Sequence, residues 1–241
     1  MYPTVAKGIE AMDSYWKKFW NEHAKSSISK QQQHQVLRTL GKKPVTDEQF
    51  LMMLKHIEKK MNMTHDDVIL DLCCGNGLFT VFFASKCKKV VGVDFARELS
   101  AQIDPKKYKN ILVKVEDVRK VNFKEKTFDK VFVYAGLQYL TYKETVYLFE
   151  AAIRWLRSKG LFFIGDIPDK AKMWDFFNTE EREYIYFDSL KNEKPIIGTW
   201  FDKSWLLRLG KYVGFKEIKI LKQPQGFPYS HYRFDMILKK S

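Results

Sequence analysis

Cysteine is scarce: Cys73, Cys74 and Cys87 are the only three in 241 residues. Adjacent cysteines such as Cys73 and Cys74 do not readily bridge each other, and an odd count makes a poor disulfide framework. The small disulfide-stapled class is therefore excluded, and reduced thiols fit the chain best. There is no CxxC pair and no His/Cys cluster with zinc spacing, so no metal site is expected. No apolar run reaches the roughly 18 residues that a membrane span needs. The stretch Met1 to Asp13 lacks the apolar core of a secretory signal, and the expectation is a cytoplasmic protein. Acidic residues are also few, 29 against 42 Lys and Arg, which leaves a formal net charge of +13. A basic surface attracts nucleic acid, anionic lipid or acidic small molecules. Here the cations are spread from Lys7 to Lys240 rather than gathered in one tract, which weakens the nucleic-acid reading.

What is present divides in two. Residues 1–63 read as a helical, polar N-terminal cap. Tyr15, Trp16, Phe19, Trp20 and His23 recur at helical spacing and share a face. The spacing predicts a second helix over Asp47 to Met61, with Thr46 and Gln49 forming a capping box. Ser26 to Pro44 between them reads as a loop or short helix.

Residues 64–241 change pattern, to short apolar runs separated by helices. The predicted strands are Val68–Leu72, Val90–Val93, Ile111–Val115, Lys130–Tyr134 and Leu161–Ile164, with a clear helix from Tyr142 to Leu156. Such alternation with nearly continuous apolar strands signals an α/β fold whose parallel sheet is covered on both faces. An aromatic insertion follows at about 168–200, then a helix near Lys203 to Tyr212. Two strand-like runs, Lys216–Leu221 and Tyr232–Leu238, come last.

The densest chemical signal is Asp71-Leu72-Cys73-Cys74-Gly75-Asn76-Gly77, directly after the first strand and before a helix. Gly75 and Gly77 permit a tight turn and close ligand approach. The following helix directs its N-terminal amides at that ligand. Asp94 closes the second strand at about the 20-residue distance where a ribose-binding carboxylate belongs. Asp117 follows the third strand, where it can accept a hydrogen bond from an exocyclic amine. Acidic residues at three successive strand ends fit one elongated nucleoside across the carboxyl edge of the sheet.

These motifs resemble the class I S-adenosylmethionine-dependent methyltransferases, especially the small-molecule branch. DLCCGNG is similar to the family's glycine motif, with Cys73 at its first glycine position. VVGVDFA, VEDVRKVNF with FDKVFVYAGLQYL, and GLFFIGDIP resemble the motifs that follow. The resemblance covers Asp67 to Asp166 by motif and the last two strands by pattern. It implies a Rossmann-like sheet, mostly parallel, whose last strand runs antiparallel beside the fifth.

It also implies S-adenosylmethionine as cofactor and S-adenosylhomocysteine as product. Asp71 and the loop Cys73, Gly75, Asn76 and Gly77 would hold the methionine part. Asp94 would take the ribose and Phe95 would pack on adenine. Asp117 and Val118 would meet the adenine edge, and Tyr134 and Ala135 would flank the sulfonium. A nicotinamide dehydrogenase fits less well: Thr80 stands where the dinucleotide fingerprint wants a third glycine, and Asp117 is no part of it.

The acceptor side is less legible. Gln138 and Tyr139 follow the fourth strand, where relatives often carry histidine. The Asn/Asp-Pro-Pro-Tyr motif of exocyclic-amine methylation is absent after Val133, and no cysteine lies there for 5-methylcytosine chemistry. Tyr229 and His231, before the last strand, are candidates to face the methyl group, with the imidazole able to accept a proton; a histidine satisfied within the hairpin is the alternative. Gln138 completes the candidate catalytic set. Aromatics of the first helix and the insertion, including Trp16, Trp20, Trp174, Phe176, Tyr184 and Trp200, are expected to roof the pocket. Arg38 either reaches a carboxylate of cofactor or acceptor or lies on the surface. The expected function is methyl transfer to a small molecule, with an RNA or protein methyltransferase and a non-catalytic binding protein as alternatives.

Overall fold

The computed structural model describes residues 5–40, 43–104, 106–192 and 198–241, with side chains described from Tyr15 onward. The leading residues 1–4 and insertion residues 193–197 lie outside the described residues. The N-terminal segment holds helix α1 (Val5–Ser27), a short α2 (Gln32–Gln35) and a small hairpin of β1 (Thr39–Leu40) with β2 (Lys43–Pro44). This hairpin lies in the stretch that the sequence suggests is loop or short helix. Its strands are two residues each, too short for any alternation to register. Helix α3 spans Asp47–Met61, and Thr46 and Gln49 cap it reciprocally.

The main sheet follows. In chain order it comprises β3 (Val68–Leu72), α4 (Leu78–Ala84), β4 (Lys89–Asp94), α5 (Arg97–Ser100), β5 (Ile111–Val115), β6 (Phe128–Tyr134), α6 (Tyr142–Trp155) and β7 (Leu156–Pro168). The insertion supplies α7 (Met173–Phe176) and α8 (Glu180–Lys191). Helix α9 (Lys203–Val213), β8 (Glu217–Lys222) and β9 (Arg233–Lys239) complete the chain. The strand order is β5-β4-β3-β6-β7-β9-β8. Pairing is parallel from β5 to β7, and β9 runs antiparallel between β7 and β8. The Rossmann-like sheet with an antiparallel last strand is thus the architecture observed.

Alternation along each strand divides the core into two layers. On β6, Val131 and Val133 face the layer of α6 and α9, while Phe132 and Tyr134 face that of α3 and α4. Phe50, Met53, Leu54, Ile57 and Met61 of α3 are buried in that second layer with Phe79, Phe83 and Phe163. Helix α3, grouped with the cap on sequence, therefore packs as one of the helices of the sheet. Helix α1 sits apart, with Ala24 and Trp20 packed on Phe95, Ala96 and Leu99 at the start of α5. Among the described residues no helix is long and apolar enough to cross a membrane.

Candidate active site

The parallel strands deliver their carboxyl ends to one edge, and a cavity of about 730 Å³ opens there. The turn after β3 bends through left-handed backbone at Cys73, Gly75 and Gly77, with φ of 58°, 54° and 83°. Cys73 costs strain that a glycine would avoid. Its side chain is accommodated by Gly136 opposite, where an added Cβ would stand 2.8 Å from that of Cys73. Ala135 and Asp166, at the ends of β6 and β7, are also left-handed, with φ of 54° and 60°. Three non-glycine residues in this region at one sheet edge mark a site whose geometry outweighs local preference. Cys73→Gly should leave ligand binding intact and stabilise the fold by up to about 1 kcal/mol, read as an upward shift in urea midpoint. Loss of folding in that variant would show that the thiol is needed in the floor.

Every sequence-predicted site residue except Gly77 lines the cavity. Gly77 stands behind as the N-cap of α4. Asp94 is held from both sides: its Oδ2 accepts from the Gly75 amide and its Oδ1 from the Ala96 amide, each at 2.8 Å. Each oxygen keeps a lone pair for a ligand diol. Asn76 instead ties the loop to the N-terminal segment, donating to Gln32 O and Gln35 Oε1 at 2.9 Å. Asp71 is buried and accepts from the Thr80 hydroxyl at 2.6 Å. Burial pushes its carboxyl up to about 7, against the Thr80 hydrogen bond. Burial, with Asp94, Asp71 and Asp117 nearby, also raises the Cys73 thiol far above its ordinary value, so it stays protonated.

Asp117 is engaged by the protein itself. Arg119 grips it with Nε at 2.8 Å and Nη2 at 2.6 Å, and the Lys17 ammonium of α1 lies 3.0 Å away. Burial works against ionisation, yet these partners hold the carboxyl well below the usual range. A ligand donor at Asp117 would have to take the place of Lys17, which ties α1 to the end of β5. Neither Lys17 nor Arg119 is distinguishable in the sequence from other surface cations. Above them, Trp16 and Trp20 meet the Tyr139 ring edge-on, at 4.9 and 5.7 Å between centroids. Of the aromatic face of α1, Trp16 and Trp20 thus cover this part of the cavity.

The roof differs from expectation on the insertion side. Phe176 reaches the cavity, while Phe177 and Trp200 are buried in a separate cluster with Tyr232. Tyr184 is 72% exposed and Trp174 half exposed, so neither roofs the site. Of the catalytic candidates, Gln138 has both amide ends occupied: Nε2 donates to Ala135 O at 3.1 Å, and Oε1 accepts from Arg233 at 2.7 Å. The Tyr229 hydroxyl is tied to the backbone of Thr39, donating to its carbonyl and accepting from its amide. His231 lies at the exposed rim, edge-on to Tyr232.

Arg38 is the residue whose setting was least visible in advance. It is 91% buried, lines the cavity, and makes no side-chain hydrogen bond or ion pair among the described residues. Its guanidinium lies over the rings of Phe79, Tyr134 and Phe50 at 4.7, 5.2 and 5.4 Å. Val36 just before it, which packs at Gly75, was the available signal that this segment meets the glycine loop.

Residues 69–160 match the family model of the methyltransferase domain. In this stretch the chain is similar to the S-adenosylmethionine-dependent methyltransferases. An uncharacterized methyltransferase of Schizosaccharomyces pombe is 32% identical over 121 residues, covering 46% of this chain and 44% of that protein. A demethylmenaquinone methyltransferase of Oceanobacillus iheyensis is 26% identical, covering 72% of this chain and 74% of its own length. In fold, the phosphoethanolamine N-methyltransferase 1 of Haemonchus contortus, in complex with phosphoethanolamine and S-adenosylhomocysteine, superposes with a TM-score of 0.70 at 15% identity. That match covers 96% of this chain and 49% of the nematode protein. The chain therefore spans about half or less of the fission-yeast and nematode relatives. The family uses S-adenosylmethionine as methyl donor.

Proposed function

We propose that this chain transfers a methyl group from S-adenosylmethionine to a small-molecule acceptor. The single observation that carries this reading is the Asp94 carboxylate, held by two backbone amides beside a left-handed glycine loop, with a lone pair left on each oxygen. The unpartnered Arg38 guanidinium fits the cofactor's carboxylate. It lies in the field of Asp166 and, more weakly, Asp71, and an arginine with no hydrogen-bonded partner of its own suits a ligand anion. When bound, the cofactor supplies an electrophilic methyl on a positively charged sulfonium. The chain's own contribution is alignment and exclusion of water, for which Trp16, Trp20, Tyr139 and Phe176 provide walls. His231 at the rim is the candidate to receive an acceptor proton, and Gln138 orients rather than transfers. Relatives named for demethylmenaquinone, coclaurine and phosphoethanolamine support a small acceptor, and one named as a ribosomal RNA methyltransferase makes RNA the second reading. A screen of acceptors that follows S-adenosylhomocysteine release tests the reading; release only with RNA or protein present would favour the alternative.

Asp71 gives this proposal a pH signature. Its carboxyl, raised to about 7 by burial, holds its proton in the folded protein well above the unfolded value. Folding stability from this group is thus full at acid pH and lost as pH rises through about 7. A cationic ligand favours the ionised form, so cofactor affinity moves the opposite way. S-adenosylmethionine should bind more tightly from pH 6 to pH 8, by up to about tenfold per unit, with proton release. Asp71→Asn should flatten that slope, and calorimetry in buffers of different ionisation enthalpy reads it directly.

A further inference from the structure

We infer that the acceptor carries an anionic group, a carboxylate or a phosphate, and that Arg233 receives it. The inference rests on the methyl-transfer reading and names the substrate class of that same cavity. Arg233 opens β9 at the edge where acceptor and methyl must meet. One of its nitrogens is already committed, Nη1 donating to Gln138 Oε1 at 2.7 Å and to Asp166 O at 2.8 Å. Both partners are uncharged, so they fix the guanidinium without neutralising it. No carboxylate lies within ion-pair distance of it among the described residues, and its buried Nε has no hydrogen-bond partner. The rings of Tyr229 and Tyr232 flank it, 5.9 and 5.5 Å from its central carbon.

A positioned, half-buried guanidinium with donors to spare is a receptor for an oxyanion, since charge-assisted bonds in low dielectric are the strong ones. A second cation stands across the same half of the cavity. Arg182 of α8 lies 4.8 Å over the Phe176 ring and donates to Phe176 O at 2.9 Å. Arg182 and Arg233 both line the cavity, with Asp166 of the neighbouring strand β7 as a lining carboxylate. A neutral or cationic acceptor would leave the buried Nε of the half-buried Arg233 unanswered, which is costly. An acceptor anion satisfies the orphaned Nε and the local charge together. The overall charge of +13 would steer such a molecule towards the protein.

The test begins by saturating the protein with S-adenosylhomocysteine, whose binding is measured first by calorimetry. Failure at that step would strike the methyl-transfer reading before any anion is added. Inorganic phosphate and acetate are then titrated into the loaded protein, with ethylammonium as the cationic control, following tryptophan fluorescence. One of the two anions should bind saturably, and which one binds tells phosphate from carboxylate acceptors. Arg233→Gln should weaken that anion about tenfold or more and leave S-adenosylhomocysteine affinity within about twofold. Arg233→Lys should retain most of the anion affinity, which separates lost charge from lost folding. Saturable binding of neither anion, survival of binding in Arg233→Gln, or displacement by ethylammonium would each overturn the inference.

Discussion

Asp94→Ala should weaken S-adenosylhomocysteine binding by about one to two orders of magnitude, the equivalent of about 1–3 kcal/mol. The carboxylate does two jobs in this structure. It offers a ligand diol one lone pair on each oxygen, and it fixes the Gly75 and Ala96 amides that shape the loop on either side. Alanine removes both, leaving two backbone donors without their acceptor. Asp94→Asn should fall between the two proteins, because its amide nitrogen cannot accept from one of those N–H groups. The residue is partly exposed, so thermal midpoints should move little and the loss should appear in calorimetric affinity. Unchanged affinity in Asp94→Ala would sink the ribose assignment and with it the main support for the donor site.

The parts of the molecule that local pattern encodes were legible in advance. β3 and β5 fall on the predicted residues, β3 because a parallel strand buried on both faces reads as a nearly continuous apolar run. Helix α3 and its capping box follow from Thr46 and Gln49, three residues apart. Asp94 was found by its distance from the glycine loop. The acceptor half was not legible for a physical reason. Arg233, Gln138 and Asp166 meet across 95 and 67 residues of chain, and no local spacing announces that contact. The same holds for Lys17 on Asp117, which joins α1 to the end of β5. Composition also misled on the insertion. Its aromatics suggest a roof, yet one ring in that stretch can reach the cavity while its neighbours seal a small cluster of their own or face solvent.

Arg38→Met should produce opposite changes in stability and in binding. A guanidinium 91% buried with no ion pair is a burden on the fold, and burial lowers its affinity for its proton. A buried charge left without a partner destabilises by about 3–5 kcal/mol, and an apolar side chain of similar length removes that burden. Three ring contacts work against that gain, at about 0.5–2 kcal/mol each, but methionine sulfur keeps part of their packing. The ligand-free melting temperature should therefore hold or rise. If the guanidinium answers the carboxylate of the cofactor, S-adenosylhomocysteine affinity should fall about 10–100-fold, the worth of one charge-assisted bond lost from a dry site. The thermal shift that saturating ligand gives the parent protein should shrink accordingly. Arg38→Lys should recover little, because a point charge on a shorter head cannot lie flat between Phe79 and Tyr134 while reaching an anion. A lower melting temperature with unchanged affinity would mean that Arg38 is a packing residue. A fold strained by an unpaired charge only until ligand arrives is stabilised by that ligand, so binding and local order at the glycine loop should rise together.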